Sequence, residues 1–313
     1  QAGLTGPAVD YWHRAARRDA ERSANIEALN HFHRALELLK DLPQGLERNA
    51  LELELLIARG APMLSVKGYA SDEMEKNYLR AKDLSQENSG SMHHFLAMWG
   101  LWVFHLVRGQ LANARSLAES LLALAHREQS SDLLIRAHES LGSTYSFLGR
   151  FDEAKAELLA ARSLYDPNQH RSHAIRYGQH AGITARITLA RTLWILGEVE
   201  QVEPLALEAI GLARELEHPF TLVFTLASLS WIYSTVRNAA RTLDLTNEAI
   251  ALSTEYSFEL GLAWATTLQG WALVENGQEE GLGKLIEGLS ATRATGAILN
   301  NTFALALLAE IYL

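Results

Sequence analysis

The sequence predicts an all-α protein, a right-handed α-solenoid in which about seven helix pairs are followed by a truncated terminal helix. Apolar residues recur at helical spacing along nearly the whole chain, between breaks rich in glycine, proline or asparagine. An anchor residue recurs in the first helix of each later pair, at Trp102, Gly142, Ala190, Ser230, Gly270 and Ala309. The spacings between these anchors are 40, 48, 40, 40 and 39 residues, so the repeat has a period of about 40 residues.

The clearest helix pair lies between residues 137 and 167. Its residues follow the tetratricopeptide (TPR) pattern of Leu-Gly, Tyr, Ala, a large apolar residue and a late Pro, at Leu141, Gly142, Tyr145, Ala154, Leu158, Ala161 and Pro167. We expect Gly142 and Ala154 to lie where the two helices approach closely, and Gly149 to end the first helix with a positive φ. One such pair cannot bury its own apolar face, so the pattern predicts a TPR-like stack of copies on both sides.

The other helices are predicted from their apolar spacing and from the breaks between them. In the less regular part, residues 1–90, they cover 8–19, 25–40, 51–64 and 71–84, and a polar loop follows at 85–91. In the regular part, residues 91–313, they cover 96–107 and 112–126, then 168–196, 204–216, 220–236, 243–256, 260–275, 281–293 and 300–313. The 48-residue spacing indicates an insertion near residues 166–182.

We expect residues 1–313 to form a single array that is a fragment of a longer chain. Residue 1 is Gln rather than Met, and the last helix carries an apolar face that no following helix covers. That face consists of Phe303, Leu307 and Ile311. Because terminal repeats normally carry a polar cap, we expect this face to be a surface for self-association.

Composition disfavours several classes of partner. A formal net charge of -9 is the wrong sign for a general phosphate-binding surface, so we expect no nucleic-acid partner. The longest apolar run, residues 95–107, contains His105 and is too short to span a bilayer, so we expect no membrane partner. Cysteine is absent, which excludes disulfides and thiolate sites and is compatible with the predicted cytoplasmic location.

Four segments resemble the C-terminal TPR-like region of large bacterial signalling proteins. They are ERSANIEALNHFHRALELLKDLP (21–43), MWGLWVFHLVRGQLANARSLAESLLALA (98–125), LYDPNQHRSHAIRYGQHAG (164–182) and LEHPFTLVFTLA (216–227). In that family the array follows an AAA-type (STAND) ATPase domain and a class III adenylate/guanylate cyclase domain or a DNA-binding regulator domain. The family usually has Asp and Pro after Tyr177-Gly178-Gln179, where this chain has His180 and Ala181.

The resemblance implies a non-catalytic scaffold for protein-protein interaction, which regulates an attached bacterial signalling ATPase or nucleotide cyclase. The alternative is a sensor array that binds a peptide or a small molecule in an ATPase-linked transcription activator. Nucleotide chemistry would then lie upstream, and the upstream domains themselves could occupy the groove. We expect no cofactor, because Gly281-Leu282-Gly283-Lys284 lacks the spacing of a phosphate-binding loop.

Five tryptophans are the predicted partner-binding residues of the concave face. In a TPR-like array the first helix of each pair lines that face, and positions -6, -3, +1 and +4 from each anchor share one side of the helix. Those offsets select Trp99, Trp194, Trp231, Trp264 and Trp271. A groove lined in this way suits a protein or peptide, whereas packing of the rings between repeats in a tight superhelix is the common alternative.

Histidines in the insertion are the candidate metal ligands. On one helix His173, Tyr177 and His180 would share a face, with His170 nearby. Capping or packing by a polar inserted segment is the more common role of such residues, so we predict no metal site. Catalytic residues are not predicted either, because no strand-turn-helix nucleophile motif is present and carboxylate pairs such as Glu153 and Glu157 belong to an outer helix face.

Overall fold

The computed structural model describes residues 2–88 and 91–312, and the regular structure in these ranges is entirely helical. In the first repeat α1 (Ala2–Glu21) pairs with α2 (Asn25–Leu39). In the second, two consecutive helices, α3 (Leu46–Ala58) and α4 (Gly60–Lys67), together pair with α5 (Asp72–Asn88). The next two pairs are α6 (Ser91–Val107) with α7 (Leu111–Arg127), and α8 (Ser131–Phe147) with α9 (Phe151–Leu164). Each pair packs on the next, as the predicted TPR-like α-solenoid requires.

Two short helices, α10 (Pro167–His170) and α11 (His173–Tyr177), interrupt the array. Beyond them lie α12 (Ala181–Ile195) with α13 (Val202–Glu215), α14 (Pro219–Thr235) with α15 (Ala239–Tyr256), α16 (Glu259–Glu275) with α17 (Glu280–Ala294), and finally α18 (Asn301–Ile311). The all-α fold class predicted from the sequence is confirmed. Within the described ranges, every helix is too short or too polar to span a bilayer.

Several predicted boundaries are wrong. Helices α1, α3, α6 and α15 begin four to six residues earlier than predicted, and three other differences follow. The helix expected at 168–196 is broken, because Gly178 has a φ of 69° and ends α11 before α12 begins. The helix expected at 51–64 is split at Arg59, because the ring of Pro62 conflicts with the carbonyl four residues earlier. Helix α5 continues through part of the predicted loop to Asn88, and residues 89 and 90 of that loop lie outside the described residues.

Glycines set the closest helix contacts. A Cβ added at Gly142 would lie 2.7 Å from Cγ of Leu158 and 3.2 Å from the carbonyl oxygen of Ala154, which confirms the expected close approach of α8 and α9. A Cβ at Gly270 would lie 2.3 Å from the backbone nitrogen of Leu285. Helices α16 and α17 therefore touch backbone to backbone at this position.

The array curls until its early and late repeats meet. Ile298 and Leu299, between α17 and α18, both donate backbone N–H groups to the carbonyl of Val107, at 3.0 and 3.1 Å. On the same side of the array, the ring of Tyr69 lies 6.2 Å from that of Phe220. The concave side is therefore narrowed to a partly open pocket rather than left as a wide groove.

The expectation of an uncovered face on the last helix is wrong. Leu307 is 4% exposed and packs with residues of α16 and α17, because α18 folds back over the array. Phe303 lies 4.7 Å from the ring of Trp231 on α14. The apolar face expected to support self-association is thus covered by the chain itself.

We predict that Gly270→Ala destabilises the protein by about 2–4 kcal/mol, because the added methyl group meets backbone atoms that cannot move aside. The matched control is Gly283→Ala on the exposed side of α17, where no atom lies within 4 Å of the added Cβ. Since alanine favours the helix, the control should stabilise the protein by about 0.5–1 kcal/mol. Urea denaturation measures both, and equal effects in the two variants would contradict the close crossing.

A second prediction concerns acid stability. His218 precedes α14, and its Nδ1 accepts the N–H of Thr221 at 3.3 Å. Burial lowers the pKa of His218 to about 4 from 6.5, so between these values the unfolded chain binds a proton that the folded chain does not. Stability should therefore fall as pH decreases from 6.5 to 4.

The His218→Asn variant can still cap the helix. We expect its melting temperature to decrease less between pH 7 and 4.5 than that of the wild type. The exposed His33→Asn variant is the control and should keep the wild-type slope. An unchanged slope in His218→Asn would contradict this account.

Candidate ligand-binding cavity

The space on the concave side is a partly open cavity of about 100 Å³. Its wall comes mainly from the first helices α6, α8, α12, α14 and α16, and Leu299 and Asn300 complete it. The volume is smaller than the roughly 300–1,000 Å³ of common ligand pockets. As it stands the cavity can take a side chain or a chain terminus, and a longer ligand requires the array to open.

The repeat offsets locate much of this wall. Positions -6, -3 and +1 from the anchors supply Glu139, Ser143, Thr184, Ile187, Arg191, Phe224, Trp231 and Trp264. The inner face of the array was thus predictable from the period. Arg191 occupies the same +1 offset as Trp231 but was not among the predicted partner-binding residues, which were all tryptophans.

Arg191 is a half-buried cation that has no carboxylate partner in the part of the chain that the structure describes. Its guanidinium lies 4.0 Å from the ring centre of Phe147 and 5.4 Å from that of Trp231. Its polar contact is Nη2 to Oγ of Ser146, at 3.2 Å. Burial lowers the pKa of Arg191 to about 10, so the group keeps its charge at neutral pH at an energetic cost. An anion entering the cavity would offset that cost.

Two indole groups in the wall also lack acceptors. The Nε1 atoms of Trp231 and Trp264 are buried and have no hydrogen-bond partner within the described residues. Trp102 differs, because its Nε1 donates to Oγ1 of Thr144 at 2.9 Å. Buried donors usually find a partner, so the two unpaired N–H groups favour a ligand that carries carbonyl or carboxylate oxygens.

A buried ion pair forms the opposite part of the wall. Nη1 of Arg136 donates to Glu139 at 3.0 Å, and Oγ of Ser143 donates to the same carboxylate at 2.9 Å. Burial raises the pKa of Glu139, while these two donors act against that rise. Gln179 lines the cavity beside them and donates to the hydroxyl of Tyr69.

The five predicted tryptophans lie in three different environments. Trp231 and Trp264 line the cavity. Trp99 and Trp271 are 1% and 0% exposed and sit in the core, which favours packing as their role. Trp194 is half-buried and packs at the edge of the core that α12 shares with its neighbouring helices. Partner binding by these residues stays a prediction, and the geometry retains Trp231 and Trp264 for it.

The histidines of the insertion do not share one helix. His173 and Tyr177 lie on α11, but His180 follows Gly178 and precedes α12. The chain nevertheless gathers the imidazoles, with ring centres of His170 and His173 5.1 Å apart and those of His173 and His180 5.7 Å apart. Asp132 on α8 joins them, at 2.6 Å from Nε2 of His173. Sequence reasoning missed Asp132, because it is distant in the chain.

No family model matches the chain. An uncharacterized protein of Rhizobium meliloti (strain 1021) is 21% identical over 308 residues, which cover 95% of this chain. The match covers only 29% of that relative, so the chain spans less than a third of the relative's length.

Solved structures show the fold. A Rap protein complexed with competence and sporulation factor has a TM-score of 0.62 and 9% identity, with 100% of this chain and 86% of the other covered. NprR in complex with its cognate peptide NprX has a TM-score of 0.56 and 13% identity, covering 98% and 83%. Aspartyl phosphate phosphatase F from Bacillus subtilis has a TM-score of 0.54 and 11% identity, covering 100% and 94%. At such identities the likeness shows a common TPR-like helical architecture.

Proposed function

We propose that the chain is a non-catalytic sensor array that binds a peptide or an extended protein segment in its central cavity. The observation that carries the proposal is the position of Arg191, a half-buried guanidinium with no carboxylate partner among the described residues, in an aromatic wall that also holds two unpaired indole N–H groups. A peptide offers the matching groups, since its backbone carbonyls accept from indoles and a carboxylate accepts from arginine. The Rap and NprR complexes, which have the same architecture, support this choice.

The carboxylate is proposed to be a peptide's C-terminal group, because the cavity admits a chain end more readily than a continuous strand. Arg191 would bind the carboxylate while Phe147 and Trp231 pack on the terminal side chain. A bidentate pair with arginine also excludes a neutral amide of the same shape. This arrangement distinguishes a free C-terminus from an amidated one.

We further propose that binding regulates domains attached to the array. The resemblance of residues 21–43, 98–125, 164–182 and 216–227 to bacterial signalling proteins supports a cytoplasmic ATPase linked to a nucleotide cyclase. A DNA-binding output domain is the alternative. The greater length of the Rhizobium relative is consistent with attached domains, which could themselves supply the bound segment.

Affinity selection from a synthetic random hexapeptide library tests the proposal. We expect the protein to retain peptides with free C-termini and to lose them when the same sequences are amidated. In Arg191→Met, affinity for a retained peptide should fall about 10–100-fold, which is the loss expected when a charge-assisted hydrogen bond is removed. The melting temperature should not fall, because a buried unpaired charge is removed. Retention that is unchanged in Arg191→Met, or the absence of any retained peptide, would refute the proposal.

Trp231→Phe separates binding from packing, because it removes the N–H donor and keeps an aromatic ring. We expect a roughly 3–10-fold loss of affinity for the selected peptide, with a small effect on stability. Trp271→Phe is the matched control, since its Nε1 is also unpaired but is sealed in the core. It should keep the affinity and lose about 1–3 kcal/mol of stability, measured by urea denaturation. The reverse pattern would assign Trp231 to the core.

A further inference from the structure

Three buried imidazoles lie together outside the cavity, where the insertion meets α8. His170, His173 and His180 are 3%, 0% and 2% exposed. Each ring carries two polar nitrogens, and Nδ1 of both His173 and His180 has no hydrogen-bond partner within the described residues. Three imidazoles buried together are costly as packing alone, because burying polar ring nitrogens costs free energy.

The cluster contains a set of donors that can converge on one point. Ligand atoms of Asp132, His170 and His173 lie within 4.8 Å of one another. Neighbouring ligands of a tetrahedral zinc ion are about 3.4 Å apart, since each lies about 2.0–2.1 Å from the metal. In this structure Oδ1 of Asp132 and Nε2 of His173 are 2.6 Å apart and no pair of donor atoms exceeds 4.8 Å, so the donors would have to move to reach that geometry. Helices α10 and α11 are short segments that can adjust.

Contacts around the donors orient them as ligands. Nδ1 of His170 contacts the backbone of Asp166, 2.9 Å from its carbonyl oxygen and 3.0 Å from its amide nitrogen; in the metal-bound form, donation from Nδ1 to the carbonyl would leave Nε2 with its lone pair. A backbone carbonyl on the second ring nitrogen is the usual support of a metal-bound histidine. Arg176 donates to Oδ2 of Asp132 at 2.5 Å, which leaves Oδ1 directed at His173.

We propose that Asp132, His170 and His173 form a site for a divalent transition metal, with Zn²⁺ as the ion that suits two imidazoles and one carboxylate. On binding, the proton between Nε2 of His173 and Asp132 moves to Nδ1 of His173, so the metal replaces a hydrogen bond without a change in the number of bound protons. The remaining coordination position is left for water.

The site would tie the insertion to the cavity. Tyr177 and Gln179 lie shortly after the two histidines in the chain. The backbone carbonyl of Gln179 accepts a hydrogen bond from Arg136 at 2.5 Å. The side chain of Gln179 lines the cavity. A metal that fixes α10 and α11 against α8 would therefore hold one part of the cavity wall in place.

Titration of the chelator-treated full chain with Zn²⁺ by calorimetry, and with Co²⁺ by visible absorption, tests the proposal. We expect one equivalent of Zn²⁺ to bind with micromolar or tighter affinity and to raise the melting temperature. Bound Co²⁺ should absorb more strongly than the aqueous ion, because its coordination is no longer octahedral. At about 100 micromolar protein, a site of micromolar affinity would be nearly saturated by one equivalent of Zn²⁺. Binding of clearly less than one equivalent under these conditions would overturn the proposal.

Variants locate the ion. His170→Gln and Asp132→Asn should each weaken Zn²⁺ binding at least about 100-fold, the scale of losing a ligand. The matched control is His138→Gln, because His138 pairs with Glu157 at 2.6 Å as a histidine-carboxylate contact outside the cluster. It should bind Zn²⁺ as the wild type does. Circular dichroism verifies folding, and wild-type affinity in a folded His170→Gln would assign the ion to another place and refute the site.

Discussion

One guanidinium group, that of Arg136, joins the parts of the array that surround the cavity. It is 0% exposed and lies 5.1 Å from the ring centre of Trp99 and 4.5 Å from that of Tyr177. Its nitrogens donate to Glu139 on its own helix and to the carbonyl of Gln179 across the insertion. Because a buried charge is costly without partners, the positions of α6, α8 and α11 depend on one another through this side chain.

The two arginines of the concave side differ in the way their charge is balanced. Arg136 has Glu139 beside it, so its charge is balanced within the chain, although its Nε has no hydrogen-bond partner among the described residues. Arg191 has a hydroxyl and two aromatic faces but no carboxylate. A repeat array can keep such a group because each inner helix presents the same offsets to a common space, whatever residue occupies them. Function can then change by single substitutions on an unchanged scaffold.

The cavity and the histidine cluster both contain residues from the same short segment. Residues 173–180 contribute Tyr177 to the core beside Trp99 and Gln179 to the cavity wall, and they hold His173 against Asp132. A shift of this segment would therefore change both places together. The insertion that breaks the repeat period is thus structurally central, although in a solenoid an insertion is commonly a surface loop.

The sequence by itself determined the helix pairs, the period and the inner face. These properties depend on spacings of three and four residues and on small residues such as Gly142 and Gly270. They are therefore local and can be predicted from the sequence. Predicted helix boundaries were wrong where a single residue ends a helix, as Pro62 and Gly178 do.

Only the tertiary structure decided which distant residues meet. Asp132 lies 41 residues before His173, and the backbone of Ile298 reaches Val107 across several repeats. The curvature of a solenoid is the sum of small rotations between successive repeats, and no local pattern encodes that sum. For this reason the sequence located the tryptophans on inner helices but did not separate Trp231 in the cavity from Trp271 in the core.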